Sequence, residues 1–164
     1  MTEEGTRAVV VVDDDPAVLD SFRFLLETAG FPVAAYPSAR AFLDARPARP
    51  RCLIVDQHMP DMTGLELAAT LRAGGSDTPV LLVTSVQSPG LTAAAGRIGV
   101  FAVLAKPPPE SDVISFIQAC DPGYACAAGR GRLPAMPTQA FSREGLFRGS
   151  DHARTAPIPA SARQ

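Results

Sequence analysis

Four short, uninterrupted apolar runs stand out along the chain: Ala8–Val12, Cys52–Val55, Val80–Val83 and Val100–Leu104. Runs of this length, rich in Val, Leu and Ile, suit parallel strands covered on both faces. Phe31–Tyr36 reads as a fifth, weaker strand. Between the runs the apolar spacing becomes helical. Pro16–Ala29 sets Val18, Leu19, Phe22, Leu25 and Leu26 on one stripe. Asp15 is a good N-cap before a proline in the first turn, and Gly30 is a C-terminal stop. Ser38 can cap a short helix through Leu43, and Gly64–Ala73 and Glu110–Ala119 give two more. Gly90–Ile98 is a poorer helix, weakened by Gly90 and Gly96. Strands alternating with helices predict a five-stranded parallel α/β sheet with right-handed crossovers. In such a sheet the active crevice lies beyond the carboxyl ends of the strands.

After Asp121 the periodicity dissolves. Residues 121–164 hold 5 Pro, 5 Gly and 9 Ala with little periodic apolar content, which predicts a flexible tail. Thr138–Arg148 has at most a turn or two of helical character, and no helix-turn-helix pattern is visible. Charge divides the same way. Residues 1–120 carry 9 basic and 14 acidic side chains, whereas residues 121–164 carry 6 Arg and 3 acids. The acidic front part is a poor match for nucleic-acid phosphates, and the arginines of the tail are scattered. No apolar run reaches the length of a membrane span. The start of the chain, Met1-Thr2-Glu3-Glu4-Gly5, lacks the basic and apolar regions of a signal peptide, so the expected location is cytoplasmic. Cys52, Cys120 and Cys126 are too few and too irregularly spaced for a disulfide framework or zinc site. Cys52, at the head of an apolar run, reads as core.

The chemistry-bearing residues sit just past the strands. Asp13, Asp14 and Asp15 follow the first, Asp56 the third, Thr84 and Ser85 the fourth, and Lys106 the fifth. A parallel sheet brings these ends to one edge. Grouped carboxylates repel unless a cation is present, and Mg²⁺ favours one or two carboxylates with waters and a phosphate oxygen. Aspartate is a nucleophile for phosphoryl transfer, a reaction that needs mainly positioning and charge neutralisation. Lys106 is the chain's only lysine against 14 arginines, and its compact ammonium meets a phosphoryl oxygen differently from a guanidinium. A single acid after a strand is ordinarily a cap or turn residue, and Asp15 is expected to be only that. The combination across four strand ends is harder to assign to capping.

Four segments together carry a resemblance. They are Val9-Val10-Val11-Val12-Asp13-Asp14-Asp15-Pro16, Leu53-Ile54-Val55-Asp56-Gln57-His58-Met59-Pro60-Asp61-Met62-Thr63-Gly64, Pro79-Val80-Leu81-Leu82-Val83-Thr84-Ser85 and Leu104-Ala105-Lys106-Pro107. Over roughly residues 7–119 the chain resembles response-regulator receiver domains of two-component signalling, especially those of FixJ-like regulators. The resemblance implies a doubly wound, flavodoxin-like sheet of order 2-1-3-4-5. It implies Asp56 as phosphoacceptor, served by a sensor histidine kinase or phosphotransfer protein. It further implies Mg²⁺ held by Asp13, Asp14, Asp56 and the backbone carbonyl of His58, with Thr84 and Lys106 contacting the phosphoryl group. The Lys106-Pro107 bond is expected to be cis, which proline makes accessible.

Some residues depart from that pattern. The family's aromatic switch position, three residues before the lysine, is Val103, and the nearest aromatic is Phe101. Pro107-Pro108-Pro109 is unusually proline-rich and should stiffen the approach to the last helix. FixJ-like regulators commonly continue into a DNA-binding domain, and residues 121–164 offer none by pattern. The expectation is a stand-alone, non-enzymatic receiver over residues 7–120 with protein–protein output and no direct DNA or membrane contact. His152 has no nameable partner. Two alternatives stay open. One is a phosphorylation-independent interaction module. The other is a haloacid-dehalogenase-type phosphatase with Asp13 as nucleophile and Asp15 as acid/base, which would need later acids from Glu110 and Asp112.

Overall fold

The computed structural model describes residues 7–120. The tail expected over residues 121–164, with Cys126, His152 and the Thr138–Arg148 stretch, lies outside the described residues. Five strands alternate with five helices: β1 (Val9–Val12), α1 (Pro16–Thr28), β2 (Val33–Tyr36), α2 (Ala39–Ala45), β3 (Cys52–Asp56), α3 (Gly64–Ala73), β4 (Val80–Thr84), α4 (Pro89–Arg97), β5 (Ala102–Ala105) and α5 (Glu110–Ala119). All strand pairs are parallel, in the order β2-β1-β3-β4-β5.

The apolar runs are continuous because both faces of the sheet are covered. In β1, Val9 and Val11 face one core with Phe22 and Leu26 of α1 and Val113, Phe116 and Ile117 of α5. Val10 and Val12 face the other, with Phe42 of α2 and Leu67 and Ala68 of α3. The central strands β1, β3 and β4 are buried along their whole length, whereas every residue of β2 is half-exposed. That edge position explains the weaker apolar signal of Phe31–Tyr36. Cys52 is sealed in the first core. Its contact with the neighbouring Cys120 thiol, together with burial, pushes its own thiol well up. Among the described residues, no helix is long and apolar enough to cross a membrane.

The helix ends follow local chemistry. The Asp15 side chain accepts from the Ala17 N–H and caps α1, and Gly30, at φ 87°, takes the left-handed turn that closes it. Ser38 caps α2, which runs two residues beyond Leu43. At α3, Thr63 and Glu66 form a reciprocal capping box. Helix α4 forms despite its two glycines, capped by Ser88, but Ala95 is its only buried residue. Helix α5 starts after Pro109 without a side-chain cap. Strand β5 begins two residues later than the apolar run, after Gly99 turns at φ 73°, and the Phe101 N–H makes the first bond to β4, at the Val80 carbonyl.

Candidate phosphoryl site at the carboxyl edge of the sheet

Register places the strand-end residues. Val12 pairs with Val55, so Asp13 and Asp56 lie level where β1 and β3 end. Thr84 pairs with Ala105, and the Lys106 N–H donates to the Thr84 carbonyl. Lys106 then reaches back across the edge. Its Nζ lies 2.7 Å from Asp13 Oδ2 and 3.1 Å from Asp56 Oδ1. The side chains of Asp13 and Asp56 are only 3% and 5% exposed, against 22% for Lys106, so the pair is nearly shut off from solvent screening. The other Asp13 oxygen accepts from the Asp15 N–H.

One ammonium faces three carboxylates. Oxygens of Asp13, Asp14 and Asp56 all lie within 4.8 Å of one another, with Asp14 exposed. The titration of the cluster reflects this excess of negative charge. Burial pushes the Asp13 carboxyl up, outweighing the lowering by Lys106 and the Asp15 N–H. Partial burial pulls the Lys106 ammonium down, but its bonds to Asp13 and Asp56 outweigh that and hold it above its ordinary value. Both shifts retain positive charge where negative charge is in surplus. Three hard carboxylate oxygens at this spacing suit a divalent cation such as Mg²⁺. Among the described residues no sealed side-chain oxygen lacks a hydrogen-bond partner. Asp56 meets Lys106 through Oδ1, and among the described residues its second oxygen makes no hydrogen bond.

A family model, response regulator receiver domain, matches residues 9–118. The chain belongs to this family. The receiver is 36% identical over 120 residues to the transcriptional regulatory protein FixJ of Bradyrhizobium diazoefficiens, covering 73% of this chain and 58% of that protein. It is 38% identical over 112 residues to FixJ of Azorhizobium caulinodans, covering 68% and 53%. The chain thus spans about half the length of these relatives. Among solved structures, it matches the crystal structure of FixJ-N with a TM-score of 0.64 and 30% identity, over 73% of this chain and 94% of that one. The chemotaxis protein CheY4 of Vibrio cholerae matches with a TM-score of 0.65 and 28% identity, over 71% and 100%.

Not every expected residue of the receiver reaches the acid cluster. The Thr84 hydroxyl is buried and engaged with its own loop, donating to the Val86 carbonyl at 3.0 Å and accepting from the Val86 N–H at 3.1 Å. Ser85 is exposed, and His58 is exposed with no hydrogen bond to its ring. Lys106-Pro107 is cis. Val103 packs in the α3 core and Phe101 in the opposite one, its ring 5.0 Å from that of Phe116. Phe101, partly buried, thus packs against the α1 and α5 side of the sheet, on the face opposite Val103. Asp15 caps α1, and Glu110 and Asp112 sit in the first turn of α5, so the later acid pair that the phosphatase alternative needs on a strand is carried by a helix.

Two positioning residues escape a reading based on strand ends. Gln57 clamps the loop after Asp56: its N–H donates to the Val83 carbonyl, its carbonyl accepts from the Gly64 N–H, and its Oε1 accepts from the Leu65 N–H. Gly64 is where α3 meets the Asp56 backbone. A Cβ there would lie 2.5 Å from the Asp56 carbonyl oxygen and 2.5 Å from a Leu82 methyl. The Thr63-x-x-Glu66 capping box, legible in sequence, marks the helix start but not this close approach.

Proposed function

We propose that Asp56 accepts a phosphoryl group from a phosphohistidine on a sensor histidine kinase or phosphotransfer protein, making the receiver a phosphorelay switch rather than an enzyme. The supporting observation is the bridge from Lys106 to Asp13 and Asp56. It sets an ammonium beside a buried carboxylate whose second oxygen makes no hydrogen bond among the described residues. Asp13, Asp14, Asp56 and the His58 backbone carbonyl would hold Mg²⁺, which when bound supplies charge neutralisation for the phosphoryl oxygens. An Asp56 carboxylate oxygen forms the new P–O bond while the P–N bond to the donor imidazole breaks, and the imidazole nitrogen keeps the electron pair. Lys106 pairs with a phosphoryl oxygen as Asp56 loses its own charge. Thr84 donates to another once its hydroxyl turns from Val86.

A phosphorylation-independent role has one observation in its favour, the aliphatic Val103 where the family's switch aromatic stands. The deciding experiment is incubation with a small phosphodonor and Mg²⁺ followed by intact mass. One phosphoryl adduct is expected on the native chain and none on Asp56→Asn. An adduct on Asp56→Asn, or none on the native chain, overturns the assignment.

A further inference from the structure

The opposite end of the sheet carries a second cluster of charge. The loop between α2 and β3 and the loop between α3 and β4 enter their strands at the edge away from Asp56. Together with Arg7 they wall a groove of about 820 Å³, within the size range of small-molecule sites. Arg7, Arg46 and Arg49 line it, all exposed and without an ion pair among the described residues. Among the described residues Asp77 is the single acid on its wall, and Leu43, Pro47 and Leu71 give it an apolar surface. This concentration of arginine lies in a region whose charge is otherwise negative.

Backbone geometry singles out two of the arginines. Arg46 and Arg49 both sit at φ 44°, in the left-handed region. Gly or Asn takes that conformation more readily. Helix α2 would close as well on either, so arginine at both positions is not explained by the turn. The walls are held in place without a ligand. Arg72 donates to the Ser76 carbonyl at 2.8 Å and to the Gly99 carbonyl at 3.1 Å. The Arg51 N–H donates to the Ala8 carbonyl, and its guanidinium lies over the Phe31 ring and bonds the Ile117 carbonyl. Arg51 is therefore structural, and Arg7, Arg46 and Arg49 are the donors that face outward.

We propose that this groove binds a small organic anion, a phosphate or carboxylate carried on a flat apolar body. The anionic end pairs with Arg46, Arg49 and Arg7, where planar guanidinium forks match either group, and the body lies on Leu43, Pro47 and Leu71. The test uses the full chain in chelator, so that no metal bridges a probe to the acid cluster. The probes are 1-naphthyl phosphate, 1-naphthoate and adenosine 5′-monophosphate, followed by amide chemical shifts. Shifts are expected at residues 43–53 and 71–79, and which probe binds most tightly identifies the source of the anion. In the double variant Arg46→Asn, Arg49→Asn, affinity should fall about tenfold or more. Because Asn suits both backbone positions, that variant should fold, and its Asp56 phosphorylation should be unchanged. Unaltered affinity in the double variant overturns the proposal, as does failure of all three probes to bind up to about 5 mM. Naphthalene-methanol or inorganic phosphate binding as tightly as the naphthyl anions overturns it too, since one shows no need for the charge and the other no need for the body.

Discussion

The same substitution in two helices should move stability in opposite directions. Gly64→Ala puts a methyl 2.5 Å from the Asp56 carbonyl oxygen and from a Leu82 side chain. Leu82 can shift, but the backbone of a central strand cannot do so alone. Overpacking of this kind costs about 1–3 kcal/mol, and alanine's better helix propensity returns less than about 1 kcal/mol in a first turn. The net loss should be about 1–2 kcal/mol. Gly96, inside α4, has nothing within 4 Å of its Cβ direction, so Gly96→Ala should gain about 0.5–1 kcal/mol. The chain has no tryptophan, so far-ultraviolet circular dichroism in urea is the suitable readout. With a slope of about 1–3 kcal/mol per molar, Gly64→Ala should lower the midpoint by roughly 0.5–1 M and Gly96→Ala raise it by a few tenths. Because the clash falls on the backbone of Asp56, Gly64→Ala should also weaken Mg²⁺ binding, whereas Gly96→Ala should not. A Gly64→Ala protein as stable as the parent would refute the close approach of α3 to Asp56.

Mg²⁺ should raise the thermal midpoint, with a stabilisation of about 2.7 kcal/mol at a hundred times Kd, and Asp13→Asn should reduce that response; a midpoint indifferent to Mg²⁺ would remove the cation from the site. Lys106 gives an alkaline signature. Its folded-state pKa is raised from 10.5, so its contribution to stability is complete below that pH and lost as pH rises through the folded value. Denaturation followed from neutral to strongly alkaline pH should show this loss in the native chain and not in Lys106→Met. Phe24, on the outer side of α1, is 76% exposed, and Phe24→Ser should change stability by no more than about 0.5 kcal/mol, measured by the same urea titration.

The order of elements was legible because each central strand, β1, β3 and β4, is buried on both faces and so leaves an unbroken apolar run. The acid cluster was legible for the same reason: parallel strands in register end together, so Asp13, Asp56 and Lys106 could be placed on one edge before any coordinate. Two kinds of fact were not. Gly64 looks like any helix-start glycine, and its need follows only from how closely α3 crosses β3, a distance that no periodicity records. The direction of the Thr84 hydroxyl depends on a local choice between Val86 and the acid cluster, and both options place a Thr after an apolar strand. Edge elements were blurred for a further reason. The half-exposed residues of β2 and the late start of β5 soften the contrast between apolar and polar positions on which boundaries depend.

The Thr84 hydroxyl makes that local choice measurable. It has one proton, now given to the Val86 carbonyl. To serve a phosphoryl oxygen it must give up that bond, though it can still accept from the Val86 N–H. A neutral hydrogen bond contributes about 0.5–1.5 kcal/mol and one to a charged group about 1.5–3 kcal/mol, so the exchange favours the phosphorylated arrangement by only about 1 kcal/mol. That is a shift of about fivefold in population. It frees the carbonyl of Val86, a residue 66% exposed, next to Gln87, whose amide holds the Val103 carbonyl at 3.3 Å. Under the proposed phosphorylation of Asp56, the loop before α4 would register that state through Thr84 with no aromatic at position 103. Thr84→Val removes the proton and keeps the shape. It should cost the unmodified protein about 1 kcal/mol in urea, because the Val86 N–H and carbonyl both lose a partner. It should also slow adduct formation with a small phosphodonor about fivefold to tenfold. Equal rates in Thr84→Val and the parent would mean that the hydroxyl stays on Val86 throughout, and that this loop carries no report of phosphorylation.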